Sequence, residues 1–337
     1  MGLCEHLQRA GHRVRIGCKA GSPLIEAMRA AGLDVHSLRI SGKGNLLAPF
    51  RLAGFARDFG AEVLHSQLSS AAVHATLAGR LLHIPSIAHV RALNSALCYR
   101  FATRVIAVSH AVRDHLVRQG LSGERVDVVY NGVDPARYYL PCTREEARVR
   151  LGLPLDALVV GVVAHLTEKK GHAVFLEAFR QLAAQCPDAV ALFLGEGGQR
   201  EPLELQAESL GLSSRVQFCG FHADVLPFYA AMDIVALPSI GGEGLPRALL
   251  EGGLLRRPCV GTRLSGAPEI VREGETGFLV PIRDAAALAD RLQTLAGDAA
   301  LRERFGAAAH DWISTRFSVQ AMIDGTLNCY ERALGER

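Results

Sequence analysis

Short apolar runs alternate with amphipathic stretches along almost the whole chain. In the first half HRVRIGC, AEVLHSQ, PSIAHV, RVIAVS and RVDVVYNG have the length and β-branched content of strands. In the second half LVVGVVAHL, AVALFLGEG, VQFCGF, DIVALPS and PCVGT read the same way. Between them the pattern predicts helices over 26–31, 71–82, 111–119, 173–185, 202–210 and 243–255. Strands that alternate with helices at this spacing form parallel sheets covered by helices, and two such sets make two doubly wound α/β domains. The alternation breaks at NGVDPARYYLPCTREEARVRLGLP, where a turn, two prolines and a charged helix stand together. The domains are therefore read as 1–140 and 141–317, with a long helix over 318–337 packing back on the first.

A doubly wound domain ordinarily opens on a strand, a Gly-rich turn and a helix. Here a helix–turn–strand step, EHLQRAGHRV, stands at the very start. The expectation is that the first strand and its loop are missing, either because the chain is a fragment or because an internal Met is taken as its start. The chain as given is then expected to be a poor enzyme.

Composition narrows the class. The chain has 337 residues, 49% hydrophobic and 21% charged, which suits two globular domains of ordinary size. Its longest apolar run, 157–164, is too short to span a bilayer, and MGLCEHLQRAGH has no apolar core of a signal peptide. Eight cysteines, at 4, 18, 98, 142, 186, 219, 259 and 329, are scattered with no CxxC, so neither a zinc site nor a disulfide framework is expected. Reduced thiols and a cytoplasmic location follow.

Charge divides unevenly. Residues 1–140 carry 17 Lys and Arg against 9 Asp and Glu, while residues 141–337 carry 20 against 25. A basic first half suits an acidic acceptor or an anionic membrane face, which would put the protein at the inner face of the cytoplasmic membrane. The best patch is 39–57, where Arg39, Lys43, Arg51 and Arg57 interleave with Leu46, Leu47, Phe50, Leu52 and Phe55. No nucleic-acid motif is present and the net charge of +3 is modest, so nucleic acid is not an expected partner.

The chemistry is concentrated in PSIGGEGLPRALLEGG, 238–253. Glu243 and Glu251 are separated by seven residues. A helix starting near Gly244 would carry Glu251 about 12 Å along its axis from Glu243, at ~1.5 Å per residue. That is roughly the span from a sugar to a ribose in a nucleotide-sugar, and the free N–H groups of Gly244 and Leu245 would face the diphosphate between them. Each glutamate alone also reads as an ordinary helix acid.

Several further segments occur in a fixed order: AGHRV, RVIAVSHAVRDHL, VVYNGVDPARY, VVAHLTEKKGHAVFLEAF, VQFCGFHADVLPFYAAMDIVALPS and, after the glutamate pair, GAPEIVREGETGFLVP. On these the chain resembles a family 4 glycosyltransferase of lipopolysaccharide or cell-envelope type, with a GT-B fold of two facing Rossmann-like domains. The resemblance covers nearly the whole chain apart from its opening.

The resemblance implies a nucleotide-sugar donor, a saccharide or lipid-linked acceptor, and retention of anomeric configuration without a covalent glycosyl-enzyme. It implies that Lys170 neutralises the diphosphate and that Gly171 lets backbone come close. Lys169 reads as plain solvent exposure. His165 stands where many relatives have arginine, so one phosphate contact is weakened or made dependent on protonation. Glu251 resembles the ribose-binding glutamate. Glu243 resembles the glutamate facing the transferred sugar, where its carboxylate stabilises an oxocarbenium-like transition state. His89 in IPSIAHVRA, at the end of a strand, resembles a histidine set against the donor sugar, and His65 holds the equivalent end of another strand. Arg91 is a candidate for the diphosphate or an acidic acceptor. No DxD pair stands where a metal–diphosphate bridge needs one, so no cofactor or metal is expected. Two other readings stay open: a GT-B nucleotide-sugar epimerase, and a non-catalytic GT-B scaffold that binds a sugar nucleotide.

Overall fold

The apolar runs become parallel strands wherever both faces of the run are covered. The computed structural model describes residues 2–40, 42 and 44–336. Met1 and Lys43, the latter part of the expected basic patch, lie outside the described residues. The chain divides into two units, Met1–Gly132 with Val319–Arg337, and Val133–Ser318.

In the first unit the order is α1 (Gly2–Arg9), β1 (Arg15–Lys19), α2 (Leu24–Ala30), β2 (Asp34–Leu38), α3 (Ala48–Phe59), β3 (Leu64–Gln67), α4 (Ser69–Leu82), β4 (Ser86–Val90), β5 (Arg104–Ala107), α5 (His110–Arg118) and β6 (Val126–Val128). Strand β2 was not among the expected strands: DVHSL buries only one side chain, Val35, so its hydrophobic signal is thin. Strands β1 and β2 form a parallel pair, and β3-β4-β5-β6 form a second parallel sheet. The last helix, Val319–Gly335, belongs to this unit and packs Cys329 and Ala333 against Ile87, Ile106 and Val129. Leu46, Leu47 and Phe50 are exposed around the start of α3. Beside them Arg51 donates through Nη1 to the Arg39 carbonyl at 2.9 Å.

The second unit runs α6 (Arg144–Leu151), β7 (Val159–Val163), α7 (His172–Gln185), β8 (Val190–Leu194), α8 (Arg200–Ser209), β9 (Val216–Gly220), α9 (Leu226–Ala231), β10 (Ile234–Leu237), α10 (Arg247–Leu254), β11 (Cys259–Thr262), α11 (Ala267–Ile270), β12 (Gly277–Val280), α12 (Ala285–Gly297) and α13 (Ala299–Arg316). The helix Val319–Gly335 of the first unit is then α14. The six strands are parallel in the order β12-β11-β10-β7-β8-β9. Strands β8, β10, β11 and β12 are buried at every residue, as a sheet covered on both faces requires. The core is filled by Phe175, Phe179, Leu182, Phe193, Ile234 and Leu292, all with no exposed surface. Order reverses between β7 and β10, the switch point at which open α/β sheets bind ligands beyond the carboxyl ends of their strands.

The helix of the glutamate pair starts later than its sequence suggests. Pro246 is the N-cap, extended at φ −70° and ψ 112°, and α10 begins at Arg247. A residue before proline is pushed out of the helical region by the ring, so Leu245 cannot open a helix. Glu243 therefore lies in the preceding loop, and Glu251 is one turn into the helix.

Candidate functional site

Two loops converge beyond the switch point. One follows β7 and contains a short 3-10 turn, Glu168–Lys170, closed by Gly171 at φ +71°. The other follows β10. A Cβ at Gly171 would come within 1.9 Å of the Pro238 carbonyl oxygen, so only glycine admits this approach. The Lys169 carbonyl accepts from the amides of Ile240 at 2.8 Å and Gly241 at 3.0 Å. Lys169 is exposed, and its part in joining the loops is played by its backbone. Gly197 in the loop after β8 lies against the Leu166 carbonyl, where a Cβ would come within 2.2 Å.

These clamps bring Lys170 to Glu243. Lys170 Nζ donates to Glu243 Oε1 at 2.5 Å, and Ser239 Oγ donates to the same oxygen at 2.8 Å. Both side chains are mostly covered, 17% and 15% exposed. Thr262 Oγ1, at the end of β11, donates to the Ser239 carbonyl at 2.6 Å and steadies that turn.

Glu251 lies on α10, eight residues after Glu243. Its Oε2 accepts from Tyr229 Oη at 3.0 Å, and its Oε1 accepts from Tyr138 Oη at 3.0 Å and from Arg247 Nε at 2.5 Å. The carboxylate is sunk, its side chain 7% exposed, while Arg247 above it is 77% exposed. Burial, and then the Glu251 carboxylate, push the hydroxyls of Tyr138 and Tyr229 above their ordinary range, so both stay protonated donors.

The second unit thus gathers Lys170, Gly171, Glu243 and Glu251 at its switch point. His165 is exposed in the same β7 loop. Gly244 and Leu245 are buried in the loop before α10, so the expectation that their amides form a helix N-terminus is corrected by the late helix start. A Cβ at Gly266, in the loop after β11, would come within 2.3 Å of the Gly244 carbonyl, so this backbone is packed against its neighbour. His89 and Arg91 belong to the first unit, at the carboxyl end of β4. Arg91 donates to Gln67 Oε1 and to Asn131 Oδ1, each at 3.0 Å. His65 and His89 lie together, their rings 5.4 Å apart.

Sequence reasoning gave no role to Tyr138, Tyr229, Ser239, Arg247 or Tyr330. The helical i, i+4 spacing of Arg247 to Glu251 was a usable signal. Tyr138 and Tyr229 reach Glu251 across more than a hundred and more than twenty residues of chain respectively, and no periodicity reports that.

Residues 143–312 match the family described as glycosyl transferases group 1, and residues 1–137 match glycosyltransferase family 4. The chain belongs to the group 1 glycosyltransferases. This glycosyltransferase is 34% identical over 180 residues to the lipopolysaccharide core biosynthesis glycosyltransferase LpsE of Rhizobium meliloti, covering 53% of this chain and 52% of LpsE. It is 31% identical over 279 residues to the putative colanic acid biosynthesis glycosyltransferase WcaL of Escherichia coli, covering 79% of this chain and 67% of WcaL. The chain spans about half the length of the lipopolysaccharide-core relatives it matches. Among solved structures, HepE of Anabaena in complex with UDP-glucose is 26% identical, with a TM-score of 0.86 over 100% of this chain and 95% of that one. A glycosyltransferase from Rickettsia africae, 20% identical, superposes with a TM-score of 0.92 over 100% of this chain and 94% of that one. The fold is GT-B, with two Rossmann-like parallel-sheet units, the sheets of the first being small. Among the described residues no helix is long and apolar enough to cross a membrane.

Proposed function

We propose that this chain is a retaining, metal-independent glycosyltransferase that moves a hexose from a nucleotide-sugar to a saccharide or lipid-linked acceptor of the bacterial envelope, of the lipopolysaccharide kind. The observation that carries the reading is the Lys170–Glu243 pair beyond the switch point, together with the buried Glu251 on α10. Relatives named for lipopolysaccharide core and colanic acid synthesis support the acceptor class. HepE, crystallised with UDP and glucose, supports the donor class.

Each charge has a task in this chemistry. Without donor, Lys170 and Glu243 neutralise each other. A diphosphate competes for the ammonium, a compact point charge suited to it, and leaves the Glu243 carboxylate to the sugar. As the bond to the leaving phosphate stretches, positive charge develops at the sugar, and a preplaced carboxylate stabilises it. Ser239 keeps that carboxylate aimed when the lysine is drawn away. Glu251 receives two ribose hydroxyls. Tyr229 holds its buried oxygen, and the exposed Arg247 swings aside at little cost. His165, exposed in the same loop, offers a phosphate contact that strengthens on protonation. His89 faces the sugar and Arg91 an anionic group.

On the first unit, Leu46, Leu47 and Phe50 beside Arg51 and Arg57 suit an anionic membrane surface carrying a lipid-linked acceptor. This would make the protein cytoplasmic and peripheral to the inner face of the membrane. The test is a panel of UDP-, GDP- and ADP-sugars offered with and without lipopolysaccharide-type acceptors, including EDTA. Nucleoside diphosphate release coupled to a glycosylated product, unaffected by EDTA, is expected. Isomerised donor without acceptor would instead make it an epimerase, and donor binding without any product would make it a scaffold.

A further inference from the structure

The first unit carries a polar chain of its own. It begins at Tyr330 on α14, runs through His65 on β3 and ends at His89 on β4. Tyr330 Oη lies 2.6 Å from His65 Nδ1, and His65 Nε2 lies 3.3 Å from His89 Nδ1. The last atom, His89 Nε2, is buried and has no hydrogen-bond partner among the described residues. His89 itself is only 3% exposed.

The protons in this chain can be assigned. Burial, aided by the Arg91 cation, lowers His65 to about 4. Burial, then His65 and Arg91, hold His89 well below its ordinary value, so both rings are neutral near pH 7. A neutral imidazole has one N–H and one lone pair. Burial also raises the Tyr330 hydroxyl, which keeps its single proton. Were that proton turned away from His65, a buried O–H would be left unbonded at a cost of about 1–3 kcal/mol. Tyr330 therefore donates to His65 Nδ1. The His65 proton must then sit on Nε2, where it is donated to His89 Nδ1. That leaves the His89 proton on Nε2.

We propose that Tyr330 and His65 are positioning residues that run a one-directional hydrogen-bond chain to His89 and fix it as a neutral Nε2–H donor. In this state His89 cannot accept a proton at Nε2, so it serves as a binding group and not as a general base. The group it meets is an oxygen acceptor. That this oxygen belongs to the sugar donor or acceptor rests on the function proposed above, whereas the proton assignment does not.

The test reads the protons directly, on the full chain labelled with 15N and without donor, by imidazole nitrogen–proton correlation spectroscopy. His65→Gln and His89→Gln variants assign the signals. The wild-type protein is expected to show Nε2 protonated and Nδ1 bare in both rings. Tyr330→Phe, checked for native circular dichroism, is expected to shift both rings toward mixed tautomers. An Nδ1-protonated His89 in the wild type would overturn the proposal, as would unchanged tautomers in a folded Tyr330→Phe protein. If that variant does not fold, the wild-type spectrum still decides the direction of the chain. A protein with no transferase activity would leave this result untouched, so the two readings fail separately.

Discussion

Each unit sets a polar cluster near the carboxyl ends of its parallel strands, and the two clusters are built on opposite electrostatic terms. In the second unit the groups are charged and paired: Lys170 with Glu243, Arg247 with Glu251. In the first, Tyr330, His65 and His89 are uncharged and linked end to end. Charge is tolerated in the second unit because Lys170, Glu243 and Arg247 stay partly open and each carboxylate, the buried Glu251 included, has several donors. It is excluded from the first because burial penalises an imidazolium. On the proposed function the charged cluster would answer the charge of a diphosphate and of a developing cation, while the neutral one would offer a directional hydrogen bond.

Removing charge from the second cluster gives the largest expected effect. Glu243→Gln keeps the shape and the Ser239 contact but loses the negative charge, and kcat should fall on the order of 10²-fold with donor affinity nearly unchanged. Steady-state kinetics with separate KM and kcat decide this. A change in KM alone would make Glu243 a binding residue. Lys170→Ala should weaken UDP and the nucleotide-sugar alike, by about 10-fold or more, since both carry the diphosphate and a charge-assisted contact is worth ~1.5–3 kcal/mol. Weakening confined to the sugar-bearing ligand would contradict the assignment.

The neutral cluster should instead reveal itself as acid sensitivity. His65, and His172 at the start of α7, are lowered by burial to about 4, and His89 is held well below its ordinary value by burial, then by His65 and Arg91. Unfolded histidines titrate near ~6.5. Between about pH 4 and 6.5 the unfolded chain binds more protons than the folded one. Stability is thus fully present above that window and falls as pH drops through it, at most ~1.4 kcal/mol per pH unit for each histidine. Denaturant unfolding from pH 7.5 to 5 measures the slope. His89→Gln should make it shallower by about one proton. An unchanged slope in His89→Gln would mean that the first cluster is not neutral in the folded state.

How much of this was legible in the sequence follows the range of each interaction. The alternation of strands and helices, the Glu243–Glu251 spacing and TEKKG are local patterns, and they led to the correct fold and to residues that the second unit carries beyond its switch point. The error over the start of α10 was also local: Pro246 was visible, and its effect on Leu245 outweighs the helical pattern of the residues around it. Other features had no local signature. Tyr330 meets His65 across 265 residues, and Tyr138 meets Glu251 across 113. The approach of Gly171 to the Pro238 carbonyl, which joins the two loops of the site, depends on the sheet order reversing between β7 and β10. Strand β12, GFLV, went unpredicted because four apolar residues fit a buried strand or a helix turn equally well.

On the proposed function a nucleoside diphosphate binds beyond the β7–β10 switch point with its ribose on Glu251. Titration calorimetry of UDP, GDP and ADP into the full chain and into Glu251→Ala tests it most directly. One of the three is expected to bind the wild-type protein, and Glu251→Ala to weaken it by at least about 10-fold, as the loss of hydrogen bonds to a charged group of ~1.5–3 kcal/mol requires. Equal affinity in the two proteins, or no binding of any nucleotide to a folded wild-type chain, would contradict it.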